Sequence, residues 1–171
     1  MSRINRGNIF ENIHKYLPIS LLFISVLNEV DFNHLGLKYF SFNFSYILIF
    51  YYSLKKSESF GYILIFIAGL FNDVVVGMPM GISSLVYLLL CGAAAYLRNI
   101  TLRPNLMKDW IYFLITILTI NSITFLILTF IFSFEINFLD QIINIIFTFV
   151  LYLIFSYLFK IYDDIILGKY S

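Results

Sequence analysis

The chain has 171 residues, of which 61% are hydrophobic and only 12% are Asp, Glu, Lys or Arg, with a formal net charge of +1. A soluble domain usually carries about 25% charged residues to wet its surface, so most of this chain is built to face lipid. The near-neutral charge argues against nucleic acid as a partner. A single cysteine, Cys91, excludes an intrachain disulfide and a CxxC metal site. His14 and His34 have no second ligand at metal spacing, so neither a metal nor another cofactor is expected.

A spanning helix needs roughly 20 mostly apolar residues, because the hydrocarbon core is about 30 Å thick. Arg3, Arg6 and Lys15 precede the first apolar run, LPISLLFISVL, and no small-residue cleavage site follows, so this run is expected to stay as an anchor. In chain order the predicted spans are Ile13–Val30, Phe40–Leu54, Phe60–Val76, Ile82–Leu97, Trp110–Phe134 and Phe138–Ile161. The first is interrupted by Pro18, Ser20 and Ser25, and the second is short. The longest connections, at 28–39 and 98–109, leave no room for a soluble module, so residues 1–171 read as a single integral membrane domain.

The basic residues give an independent check on that count. Six crossings place Arg3, Arg6, Lys15, Lys55, Lys56, Arg98, Arg103, Lys108, Lys160 and Lys169 on one side, leaving only Lys38 on the other. The rich side is cytoplasmic by the positive-inside rule, and both termini fall there. Dropping a weak span would separate Lys55 and Lys56 from Arg98, Arg103 and Lys108. Tyr51, Tyr52, Tyr62, Tyr96, Trp110, Tyr112, Tyr157 and Tyr162 cluster at the predicted inner ends, where amphipathic rings favour the headgroup zone.

The stretch GLFNDVVVGMPMG, residues 69–81, carries one carboxylate near the outer end of span three. Gly69, Asp73 and Gly77 recur every four residues and share one helix face, where glycines permit close approach of a neighbour. Gly77, Pro79 and Gly81 suit a tight reversal into span four. Asp73 then has three readings: a structural acceptor for free N–H groups in the turn or at the start of span four, a contact for a partner protein, or a step in an ion or proton pathway.

Catalysis finds little support. No second acid pairs with Asp73 within the spans for two-carboxylate chemistry. GISS at 81–84 resembles a nucleophile loop only loosely, with no histidine near it in sequence. Cys91, Gly92, Ala93, Ala94 and Ala95 make span four thin, which suits helix packing, with a small ligand cavity as the lesser reading. Asn121, Ser122 and Thr124 in span five, with Asn144 and Thr148 in span six, are expected to bond between helices.

With these residues in view, the chain resembles the rod shape-determining protein MreD family. The resemblance rests on a G-x-x-x-D-x-x-x-G-x-x-x-G run with a proline before the last glycine, here Gly69, Asp73, Gly77, Pro79 and Gly81, and on the YLRN that ends span four. It implies an all-α membrane protein of six transmembrane helices, similar to the substrate-binding subunits of energy-coupling-factor transporters. It further implies a non-enzymatic member of the bacterial elongation machinery in the inner membrane, acting in rod cell-shape determination and lateral peptidoglycan synthesis. The implied partner is an MreC-like protein, with indirect links to the glycosyltransferase RodA, its transpeptidase partner and MreB filaments. The alternative is a substrate-binding subunit of a vitamin-type transporter. Such subunits usually carry an A-x-x-x-A-like face on the first span, and Ile19–Val26 here has no alanine.

Overall fold

The computed structural model describes residues 17–26, 42–55, 61–101, 105–134 and 137–168. Every regular element among them is an α-helix: α1 (Leu17–Val26), α2 (Phe44–Lys55), α3 (Tyr62–Val76), α4 (Ile82–Ile100), α5 (Leu106–Phe130) and α6 (Phe138–Gly168). In hydrocarbon the backbone must satisfy its own polar groups, and a helix does so within a single segment.

Helix ends differ from the apolar boundaries for identifiable reasons. α5 begins ahead of Trp110 because the Asn105 side chain accepts the Met107 N–H at 3.0 Å, capping a polar first turn. It stops short of Phe134 because Ser133 takes a left-handed conformation at φ 51°. α6 continues past Ile161 to Gly168, since apolarity marks the bilayer and not the end of the hydrogen-bond ladder. α4, α5 and the Phe138–Asp164 part of α6 are long and apolar enough to cross a membrane. The 15-residue α3 rises about 22 Å and the 12-residue α2 about 18 Å, both short of the core. The first predicted span, 13–30, extends outside the described residues at both ends, as do His14, His34, Arg3, Arg6, Lys15, Lys38, Lys56, Arg103 and Lys169.

The chain divides into two compact units, Met1–Val30 with Leu48–Arg98, and Asp31–Ile47 with Asn99–Ser171. In the first, α1 meets α3 through an edge-on Phe23–Phe71 contact at 6.1 Å. The second half of α2 meets α4 through Ser53, whose hydroxyl donates to the Cys91 sulfur at 3.3 Å. The Arg98 guanidinium donates to the Ser53 carbonyl at 3.0 Å, giving a C-terminal carbonyl of α2 a cationic partner. Tyr51 and Tyr52, expected at the membrane interface, are instead buried and pack edge to face at 5.2 Å. Tyr62, Tyr96, Tyr112 and Tyr157 are exposed.

In the second unit α5 and α6 form a hairpin. Trp110 stacks flat on Phe149 at 4.4 Å and donates its indole N–H to the Phe149 carbonyl at 3.0 Å; Phe113 stacks on Tyr152 at 4.3 Å. The start of α2 docks on α6 through Phe44 and Phe155, with centroids 4.9 Å apart. Beside them Asn43 donates its backbone N–H to Thr148 Oγ1 at 2.9 Å and its amide to Asn144 Oδ1 at 2.8 Å.

Ser133 marks the sharp end of the hairpin, where the Phe134 N–H returns to the Leu128 carbonyl at 3.0 Å. A non-glycine residue in the left-handed region costs about 1–2 kcal/mol, more for a β-branched one. Thermal unfolding in detergent should show Ser133→Gly equal to or above the parent and Ser133→Val below it by roughly that amount.

Candidate functional site

The candidate site is the α3–α4 hairpin. α3 ends when Gly77 turns left-handed at φ 73°, ψ 27°, a conformation open to a residue without Cβ. The N–H groups of Gly77 and Met78 then both return to the Asp73 carbonyl. Gly81, at φ 98°, supplies the first acceptor of α4, its carbonyl taking the Leu85 N–H at 2.9 Å. The Pro79 carbonyl accepts the Ile82 N–H at 3.3 Å.

The Asp73 side chain completes the reversal from the other helix. Oδ2 accepts the Gly81 N–H at 2.6 Å and Oδ1 accepts the Ser83 N–H at 2.8 Å. These are two of the donors that an α-helix leaves unpaired at its N-terminus, and the helix dipole there favours an anion. Asp73 therefore caps α4 while belonging to α3. The residue is fully buried, so each bond to its carboxylate is worth about 1.5–3 kcal/mol and offsets part of its desolvation.

Close approach of the two helices makes this reach possible. A Cβ built on Gly69 would lie against the Ser84 Cα and N, far inside van der Waals contact. Ser84, itself fully buried, donates its hydroxyl to the Phe66 carbonyl at 2.9 Å. The Asn72 amide donates to Ser83 Oγ at 2.9 Å. The hydroxyls of GISS are thus engaged in helix packing. Asn72 escaped the sequence reading, which weighed the GISS serines only as a loose nucleophile loop; the available signal was a pair of hydroxyls in the first turn of a helix, where they commonly serve backbone groups.

The candidate residues therefore separate by role. Gly69, Asp73 and Gly81 meet in one junction. Gly77 shares the face but is exposed, with nothing within 4 Å of its missing Cβ, so it serves the turn and not the packing. Cys91 is buried on α4 with Leu90, Ala94 and Leu97, whereas Ala95 is half-buried and Gly92 is exposed with open space at its Cβ. Asn144 and Thr148 join different helical segments through Asn43. Asn121, Ser122 and Thr124 instead bond to carbonyls four residues earlier on α5, because a side chain in lipid can spend its donor locally. Glu29, next to last in the first predicted span, and Asp140, third in the sixth, are acids passed over by the sequence reading; Glu29 lies outside the described residues, and Asp140 sits in the first turn of α6, where the dipole favours it.

Two predictions follow from the geometry. In detergent, Gly69→Ala should lower unfolding stability by about 1–3 kcal/mol through overpacking, while Gly92→Ala should leave it unchanged or raise it by up to about 1 kcal/mol through helix propensity. Asp73→Asn keeps one acceptor oxygen and turns an amide donor toward the other N–H, so it should cost about 1–3 kcal/mol. Asp73→Leu orphans both donors and should cost more; a Leu variant as stable as the parent would rule out the cap.

Comparison with curated proteins returns no significant match, and comparison with solved structures returns none. The family model described as rod shape-determining protein MreD matches residues 11–162, which include the whole α3–α4 junction. With most of its length matched, the chain is a membrane protein that belongs to the MreD family.

Proposed function

We propose that this protein is a non-catalytic scaffold of the bacterial elongation machinery, held in the cytoplasmic membrane by six crossings with both termini inside. Family membership points to rod-shape determination; the finer reading is that the chain associates with an MreC-like protein. Through that partner it connects to RodA, its transpeptidase and MreB, and so to lateral peptidoglycan synthesis.

The observation that carries this reading is the family match across residues 11–162. The geometry of the signature supports it. Both oxygens of Asp73 are taken by backbone N–H groups, and the hydroxyls beside it serve helix packing. Those bonds hold the hairpin together from within. The Arg98–Ser53 bond also agrees with the charge-based topology, since it brings the C-terminal ends of α2 and α4 together, away from the Asp73 turn.

Co-purification from native bacterial membranes is the test. The tagged chain should recover an MreC-like protein together with cell-wall synthases. Recovery of a transporter ATPase module without cell-wall proteins would overturn the scaffold in favour of a substrate-binding subunit.

A further inference from the structure

Arg98 lies in the last turn of α4, at the end away from the Asp73 turn. It is half-buried, and its guanidinium has one acceptor among the described residues, the Ser53 carbonyl at 3.0 Å. A guanidinium is permanently charged and carries five N–H donors in a planar fork. One neutral carbonyl meets one donor and leaves the charge without a counterion. In the same unit, the one carboxylate among the described residues is Asp73. Both of its oxygens are engaged at the first turn of α4, and Arg98 lies about 22 Å along the helix from Ser83. A charge taken partly out of water needs an opposite charge close by.

The Ser53 bond also sets a second cation beside the first. Lys55, two residues beyond Ser53 in the last turn of α2, is exposed. Two cations held at one helix end focus a positive potential that favours an anion. We propose that Arg98, supported by Lys55, seats the phosphate of an anionic phospholipid in the cytoplasmic leaflet.

Depth and chemistry choose that ligand. Arg98 follows directly on the apolar stretch Ile82–Leu97, and Tyr96, two residues before it, is 69% exposed. A cation and an outward tyrosine at the end of an apolar span belong at headgroup level. Under the charge-based topology this is the inner side, where anionic headgroups give the leaflet a negative surface potential. The planar fork matches two phosphate oxygens at once, and Lys55 adds a point charge. Ser53 supplies rigidity: its hydroxyl donates to the Cys91 sulfur at 3.3 Å while its carbonyl takes Arg98. An arginine already held in place loses less side-chain freedom on binding. A zwitterionic lipid carries the same phosphate with an ammonium attached, which the two cations repel.

The proposal rests on the inner placement of this end and is independent of the scaffold's partner. The full chain is purified in detergent, and native mass spectrometry measures its binding of phosphatidylglycerol, phosphatidylcholine and inorganic phosphate. The parent should retain phosphatidylglycerol in preference to phosphatidylcholine. Arg98→Gln should weaken phosphatidylglycerol binding about tenfold, as expected for loss of charge-assisted bonds. Arg98→Lys keeps the charge without the fork and should fall between the two. Lys55→Gln leaves the Arg98–Ser53 bond in place and should weaken binding about fivefold, so the test stays decisive if an Arg98 variant fails to fold. Lys108→Gln removes another exposed basic residue of the cytoplasmic side and should change nothing. Equal retention by the parent, Arg98→Gln and Lys55→Gln would overturn the seat. An equal loss from Lys108→Gln would overturn it in favour of diffuse surface charge. Equal binding of phosphatidylcholine by the parent, or displacement of the lipid by inorganic phosphate, would overturn the anionic lipid as its ligand. Each of these failures leaves the co-purification result untouched.

Discussion

Asp73 ends one helix with its backbone and starts the next with its side chain. Its carbonyl takes the N–H groups of Gly77 and Met78, and its carboxyl takes those of Gly81 and Ser83. A reversal between helices leaves orphan carbonyls on one and orphan amides on the other. Water satisfies them cheaply at a soluble surface, but near lipid each unmet group costs several kcal/mol. The Asp73 carboxylate settles two of these amides, and it reaches them because Gly69 lets α3 lie against the backbone of α4 at Ser84. The glycine supplies the proximity and the aspartate uses it.

The same economy appears elsewhere in each unit. Arg98 serves a terminal carbonyl of α2, and Asn43 ties the start of that helix to Thr148 and Asn144. Asn105 and Asn137 cap α5 and α6. These polar side chains sit at helix junctions, where a bond gives both backbone satisfaction and a fixed helix position, whereas Asn121, Ser122 and Thr124 bond within α5.

What the sequence disclosed depended on the kind of signal. A carboxylate four residues before a Gly–Pro–Gly turn, with a helix to follow, already points at free amides, so the neighbourhood of Asp73 was readable. The close approach at Gly69 and the turn at Gly77 were readable too; which glycines do not pack was not. Gly69, Gly77 and Gly92 look alike as small residues in apolar helices, yet one packs against Ser84, one turns left-handed and one faces outward. When a helix is apolar all round, periodicity cannot tell its protein-facing side from its lipid-facing side. The same ambiguity hid the burial of Tyr51 and Tyr52, whose position near a predicted span end suited the interface equally well. Hydropathy also misses helix ends: it sees where lipid stops, whereas Asn105 and Ser133 decide where α5 begins and ends.

The central claim is that the Asp73 carboxyl holds the first turn of α4 across the hairpin. Residue-resolved hydrogen exchange in detergent micelles, comparing the parent with Asp73→Asn, tests it most directly. The Gly81 and Ser83 amides should exchange slowly in the parent and markedly faster in the variant, while amides in the middle of α5 are unchanged. Equal protection of Gly81 and Ser83 in both proteins would mean that something other than Asp73 holds the start of α4, and would contradict the account.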